Sequence, residues 1–475
     1  MKIVHLPLDS RPCNWLFPGQ LAAWCGQECA VPSQLDFFTT PDSFENIRDF
    51  LLTNMESADA LAVSVEHLCF GSLLESRNDN VPQEDALARL ALLEQIHQAK
   101  PDMPIYAYGV VMRSSVSALY AGDLQIHRNM TEYSMYTDRA ALTGSAEDAD
   151  RAQQAKAKIP PHVLSRYEFA RARNHALNRR CVELATKGVL RSLALLQEDS
   201  EVWGFHKAEQ RALLQLCKEL DIRNVWMHNG TDEGGALTVM KAIADGKGCS
   251  AAVRFLGWEN GDFMARYEDR PFGENVWSML DYAGVKANED APEVLAVCCP
   301  PDGIQTDWVN PAHEEGLELV ADELARLIKQ GKKVYLLDVT RANGGAPALV
   351  EKLNRRVPVS SLAGYSAWNT ASNSLGTAIA QLMSDQLAGE SNRTFLWERL
   401  IDDLIYQGIV REELMAELER AGEDLLHLHD QEHAEERLRE MMQTYIANDP
   451  TWKNAPAFSI RLPWGRTFEA EVILG

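Results

Sequence analysis

No stretch of this sequence is both long and apolar enough to span a bilayer, so no transmembrane helix is expected. The opening MKIVHLPLDSRPCNW has one Lys and a short apolar run soon broken by charge, and it lacks the long apolar centre of a secretion signal. Basic residues are in deficit. Lys and Arg number 46 against 69 Asp and Glu, a formal net charge of −23 that would repel nucleic acid or an anionic membrane. Cysteine pairing signals are missing as well: nine Cys are scattered without a CxxC, which disfavours a disulfide framework or zinc site and suits reduced thiols in the cytoplasm. Cys25 and Cys29 stand one helical turn apart and are expected on one helix as small apolar positions. GxSxG, HExxH, P-loop and GxGxxG patterns are absent, so serine-hydrolase, zincin and nucleotide templates gain no support. No cofactor and no metal is called for. The partner that remains is a small-molecule substrate, with no nucleic acid, no membrane, and the number of subunits open.

What is present is a large apolar reserve. With 46% hydrophobic residues over 475 positions, the chain can bury one big core or several. Short apolar, β-branched runs recur, each followed by a polar turn and then by a stretch of helical period, the pattern of repeated βα units. The runs are IVHLPL (3–8), ALAVSV (60–65), IYAYGVV (105–111), SLALLQ (192–197), NVWMH (224–228), AAVRFLG (251–257), VLAVCC (294–299), KVYLLDV (333–339) and SLAGYS (361–366). Near-continuous apolar strands separated by helices imply a mainly parallel α/β sheet covered on both faces. A (β/α)₈-like barrel is preferred to a doubly wound open sheet, because polar residues follow most strands instead of gathering at one crossover.

The expected organisation is an α/β main domain over 1–386, with a helical insertion at 115–190, and a mostly helical region over 387–475. The latter closes with FSIRLPWGRTFEAEVIL (458–474), read as a strand or hairpin returning to the main body. RARNHALNRR (171–180), the densest basic stretch, reads as one helix face.

Parallel α/β folds bind ligands beyond the carboxyl ends of their strands, and here those positions are polar. The first strand delivers Asp9 and Arg11, the second Glu66 and His67, the third Arg113, the fourth Glu198 and Asp199, the fifth Asn229, Asp232 and Glu233. Later strands deliver Asp338 with Asn343, and Trp368 with Asn369 and Asn373. An acid after a strand is often only a helix cap. Several acids and two arginines on one rim instead demand partners or a ligand. The pairs Glu198–Asp199 and Asp232–Glu233 are the expected acid/base groups, since neighbouring carboxylates push each other's pKa apart. Residues adjacent on a strand face opposite ways, so both members of a pair line one site only where the strand has already become loop. In GYSAWNTASNSLGT (364–377), an aromatic face beside amides and hydroxyls suits a sugar ring, although Thr370 or Asn373 as a cap to a helix near Leu375 explains it equally. His427, His429 and His433 offer one helical i, i+4 pair in a charged, solvated stretch and are not read as metal ligands.

These segments also carry a resemblance. LPLDSRPCN (6–14), VEHLCFGSLLESR (65–77), VVMRSS (110–115), RARNHALN (171–178), LLQED followed by WG (195–204), NGTDEGG (229–235), DVTRANGG (338–345), GYSAWNTASNSLGT and LPWGRTFE (462–469) together resemble the bacterial domain of unknown function family 4127, end to end. The family pattern at the fourth strand looks like two consecutive Asp, of which this chain keeps Asp199 and has Glu198 in the first place. The resemblance implies a shared site at these motifs and no particular reaction.

The expected chemistry is hydrolysis of a glycoside or amino-sugar-containing small molecule, with Asp199 or Asp232 as general acid/base, and Glu198 and Glu233 beside them. Asp9, Arg11, Arg113, Asn229, Asp338, Asn343, Trp368, Asn369 and Asn373 would hold the substrate. Two other readings stand beside it. One is a divalent-metal hydrolase using Asp9, Asp232 and Asp338; the other is a non-catalytic sugar-binding protein of the cytoplasm.

Overall fold

The computed structural model describes residues 1–33, 35, 37–115 and 124–475. Its backbone divides into two compact units, the first comprising Met1–Ser10, Gln27–Ile243 and Tyr267–Arg270, the second Arg11–Gly26, Ala244–Arg266 and Pro271–Gly475. Residues 387–475 thus fall in the same unit as 271–386.

In the first unit, β1 (Lys2–Leu6), β2 (Glu28–Ala30), β3 (Ala60–Ser64), β4 (Ile105–Val111), β5 (Ser192–Gln197) and β6 (Val225–Asn229) form one parallel sheet in the order β2-β1-β3-β4-β5-β6. The central strands β3, β4 and β5 are buried at every residue, which is why their sequences are unbroken apolar runs with no polar alternation. Side chains such as Leu61, Val63, Ile105 and Leu193 meet helix residues Leu51, Leu93 and Leu184 in one core. Each fully buried aliphatic contributes about 1.5–3 kcal/mol. The helices Leu124–Thr143, Ala146–Lys156 and Pro161–Thr186 make up the insertion and have a small core of their own around Met130, Tyr133 and Tyr167.

The second unit has a parallel sheet of β7 (Cys249–Leu256), β8 (Val285–Ala287), β9 (Glu293–Cys298), β10 (Lys333–Asp338) and β11 (Gly364–Ser366), ordered β11-β10-β9-β7-β8. An antiparallel hairpin, β12 (Phe458–Arg461) and β13 (Glu471–Leu474), closes the chain. The helix Ala371–Ala388 is buried at every residue from 371 to 385, and Thr370 caps it by accepting the Asn373 N–H at 3.2 Å. The segment Leu400–Val410 is a π-helix, with Asp402 and Asp403 inside its apolar run.

Each of the nine apolar runs holds a strand, in SLAGYS only over Gly364–Ser366, and these strands pair in parallel but are shared between two sheets. The two additional strands, β2 and β8, are three residues long and partly exposed, so no apolar run announces them. Cys25 and Cys29 do not share a helix. The helix Pro12–Trp24 stops at Cys25, Gly26 takes φ +73°, and Cys29 lies on β2. The buried thiols Cys69, Cys181, Cys298 and Cys299 are free, and burial pushes Cys299 up to about 12. No helix among the described residues is long and apolar enough to cross a membrane.

Candidate functional site

Because β1, β3, β4, β5 and β6 run parallel in one sheet, the residues that follow them share one edge of the first unit. Asp9, Glu66, Arg113, Glu198, Asp199, Asn229, Asp232 and Glu233 all lie there. β5 ends at Gln197, so Glu198 and Asp199 are already loop, and the alternation that would have separated them no longer applies. Both reach Arg113: its Nη2 lies 2.6 Å from Asp199 Oδ2 and its Nη1 3.9 Å from Glu198 Oε1, and its backbone N–H donates to Glu198 Oε2 at 3.4 Å. Arg77 contacts Glu198 from the turn Glu75–Arg77. Burial opposes the Arg113 charge, yet Asp199 and Glu198 outweigh it and hold the guanidinium above its ordinary value.

Glu66 enters from the short helix Val65–Phe70, which Ser64 caps by accepting the His67 N–H at 3.2 Å. Its Oε1 accepts the Val110 N–H at 2.8 Å, while Oε2 is buried with no hydrogen-bond partner among the described residues. Burial, with Glu198 adding to it, pushes this carboxyl up to about 7.

β6 likewise ends at Asn229, putting Asp232 and Glu233 in a turn that Gly230 permits. Gly230 adopts φ +111°, and a Cβ there would collide with the Glu233 carboxyl. Glu233 accepts the Thr231 N–H at 2.9 Å through Oε2, and its Oε1 stands 3.9 Å from His228 Nδ1. Its side chain is wholly buried. Burial pushes Glu233 up to about 8, the carboxylates of Asp232 and Glu268 adding to the effect, and burial pushes His228 down to about 4. At neutral pH both side chains are therefore uncharged. Asn229 Nδ2 donates to Ser200 Oγ at 3.2 Å, joining the loops after β6 and β5.

The insertion positions this edge. RARNHALN lies in the helix Pro161–Thr186, as expected, and Arg171 and Arg173 within it are buried. Arg171 Nη2 donates to Met112 O at 2.8 Å and contacts Arg113 O, and Asn178 Nδ2 donates to Val110 O at 2.9 Å, so the end of β4 is held from both sides of Val111. Gly109 suits this approach, since a Cβ would lie 3.2 Å from Asn178 Oδ1. Beyond Arg113, Ser114 Oγ is 3.0 Å from His206 Nδ1, and His206 Nε2 is 2.7 Å from Glu201 O. That carbonyl requires the proton on Nε2, so Ser114 donates to Nδ1, and the loop bearing Asp199 is tied to the end of β4.

Arg11, Asp338, Asn343, Trp368, Asn369 and Asn373 belong to the second unit. Asp338 braces its own loop: Oδ1 accepts from Thr340 N at 3.2 Å and Thr340 Oγ1 at 2.6 Å, and Oδ2 accepts from Ala346 N at 2.7 Å and Tyr365 OH at 3.4 Å. A carboxylate so engaged has little left for a metal, and among the described residues no group of three or more His, Cys, Asp or Glu is arranged to hold one. Asp338→Ala is expected to lower unfolding free energy by about 3 kcal/mol, because two buried N–H groups lose their acceptors, and Asp338→Asn by about 1. Urea unfolding of the two variants checks this; equal midpoints for Asp338→Ala and the parent would refute it.

Asn343 and Asn369 both adopt left-handed φ, +59° and +64°, and the Asn343 N–H donates to Asn369 O at 2.8 Å, coupling the loops after β10 and β11. Asp403 supports the pair from the π-helix, its Oδ2 accepting the Ala367 N–H at 2.8 Å and its backbone O the Gly345 N–H at 3.0 Å. The three histidines 427, 429 and 433 are engaged locally, with His427 3.5 Å from Asp424 and the His433 N–H donating to Asp430 at 3.0 Å. Sequence reasoning missed Arg77, Arg171, Asp402 and Asp403. The last two were visible as consecutive acids inside the apolar LIDDLIYQG, a pattern that demands buried partners.

No curated protein matches the chain. Among solved structures, the first ketoreductase of the tylosin PKS is similar over 82% of this chain and 76% of its own, at 14% identity and a TM-score of 0.20. The apo, SeMet-labelled cobalamin-dependent S-adenosylmethionine radical enzyme OxsB is similar over 90% of this chain and 62% of its own, at 10% identity and a TM-score of 0.19. Likenesses of this size bear on no chemistry. Residues 3–473 match the family model described as "Protein of unknown function (DUF4127)", and with essentially the whole chain covered, this protein belongs to that family.

Proposed function

We propose that the protein is a hydrolase acting on a glycoside or amino-sugar-containing small molecule by carboxylate general acid/base catalysis, in the cytoplasm. The observation that carries the reading is the contrast between two carboxyl groups on neighbouring strand ends: Glu233, neutral through burial, and Asp199, held against Arg113 at 2.6 Å and a third exposed. A buried carboxyl that keeps its proton, beside a second carboxyl that is ion-paired and open to solvent, is the kind of set that glycosidic cleavage needs. The donor protonates the leaving oxygen, and the anion activates water or stabilises positive charge on the sugar. Asp232 lies in the field of Glu233 and serves as the alternative acid/base group. Arg113 and Asn229 would hold polar groups of the substrate.

The test is a panel of chromogenic glycosides, N-acetylamino sugars included, with the parent and an Asp199→Asn, Asp232→Asn double variant. Turnover reduced about 100-fold or more in the variant is expected. Equal rates in both proteins, or none in either, would count against catalysis. Sugar-induced stabilisation without product would favour the non-catalytic binding reading.

A further inference from the structure

The geometry points to a separate oxyanion-binding site in the second unit, at the ring of Phe468, that takes a carboxylate or phosphate group. The segment Leu462–Glu469 threads aromatic rings between guanidinium groups. Arg11 lies 5.4 Å from the Trp464 ring centre, Arg466 lies 4.9 Å from Trp464 and 5.6 Å from Phe468, and Arg411 lies 4.9 Å from Phe468. Trp368 also packs against Phe468, centroid to centroid 5.7 Å at 50°. The π-helix holds this segment in place: Gln407 Nε2 donates to Phe468 O at 2.9 Å and Tyr406 OH to Thr467 O at 2.6 Å.

One observation points to an anion here: two donors beside the Phe468 ring are buried with no acceptor among the described residues, the indole N–H of Trp368, a residue 7% exposed, and the Nε–H of Arg411, whose Nη1 donates to Gln407 Oε1 at 3.2 Å. A buried donor left unpaired costs about 1–3 kcal/mol, so two of them beside one ring mark where an acceptor belongs. Guanidinium and indole N–H groups both recognise oxyanions and lack any acceptor for a cation. Burial, with Arg466 as a cationic neighbour, keeps the Arg411 pKa below its ordinary value, the direction that a bound anion reverses.

The test is binding, not turnover, so it stands or falls separately from the glycoside reading. The full chain is titrated with potassium phosphate and, in a second arm, with acetate, ionic strength being held constant with potassium chloride. Melting temperature and tryptophan fluorescence are followed together. A saturable rise in melting temperature is expected in at least one arm, and the arm that saturates identifies phosphoryl or carboxylate as the preferred group. Arg411→Gln weakens it at least tenfold, and Trp368→Phe removes the fluorescence response while a weakened melting shift persists. Should Arg411→Gln fail to fold, Arg411→Lys keeps the charge without the Nε donor and is expected to bind about threefold to tenfold more weakly. A response matched by chloride alone, or an affinity unchanged in the arginine variants, overturns the site.

Discussion

Glu233→Gln is expected to raise stability in alkaline buffer and to abolish turnover in the same protein. The folded state holds the Glu233 proton up to about pH 8, whereas an unfolded chain releases it near the ordinary glutamate value of 4.5. The stability contributed by this group is therefore intact below pH 4.5 and declines as pH rises to about 8, by at most about 1.4 kcal/mol per unit and on the order of 5 kcal/mol in all. Glutamine has no proton to lose. Its variant should equal or slightly trail the parent at pH 5 and exceed it by roughly 2–4 kcal/mol at pH 8.5, as read from urea midpoints. His206 and His228, each pushed down to about 4 by burial, act in the opposite sense. What they contribute is complete above pH 6.5 and lost as pH falls towards 4; Glu66 and Asp402, pushed up to about 7, also titrate above that, so the difference in slope between parent and variant from pH 6.5 to 8.5 is what isolates Glu233. Parallel pH dependences in parent and variant would refute the buried-neutral assignment. Retained turnover, with the altered slope, would leave the assignment standing and remove Glu233 from the chemistry.

Arg399→Met should produce the largest loss of stability of any single change in the second unit, about 3–5 kcal/mol. Arg399 is 2% exposed and lies 4.0 Å from the centre of the Phe17 ring. Its Nη1 is 3.0 Å from Asp402 Oδ2 and 2.8 Å from Asp403 Oδ1, so its removal strands two adjacent buried acids. Burial already pushes Asp402 up to about 7. Protonation can relieve the stranded pair, and the defect should accordingly be milder at pH 5.5 than at pH 8. Asp403→Asn is expected to cost less, because an amide oxygen still accepts the Ala367 N–H. Unfolding midpoints at the two pH values, with near-ultraviolet circular dichroism for the Trp368 region, check both. An Arg399→Met protein with the parent's midpoint at pH 8 would show that the triad contributes nothing.

The parallel α/β class was legible because strands buried on both faces must be written as unbroken apolar runs, as ALAVS and SLALLQ are. β2 and β8 carry no such signal, being three residues of half-exposed backbone pairing. The acids at the first unit's strand ends were legible from the rule that ligands gather there, and the loop position of Glu198 and Asp199 settles how two neighbours reach one arginine. Asp338 obeys the same rule but is spent on Thr340 and Ala346, a use of the carboxylate that only the loop's backbone path discloses. Arg77 and Arg171 reach their partners across 121 and 59 positions respectively, and nothing local records such a pairing.

The helix Ala371–Ala388 has one more bearing on the second unit. A segment enclosed from 371 to 385 has no solvent side on which to place bulk, and it is written largely in Ala, Ser, Gly and Thr. Its girth therefore acts as a spacer gauge between the layers it separates, and at Gly364 the strand beside it comes so near Gln381 that even one methyl would not fit. Enlarging any of those small residues would widen the gap and carry Asn369, at the helix's own threshold, out of register with Asn343.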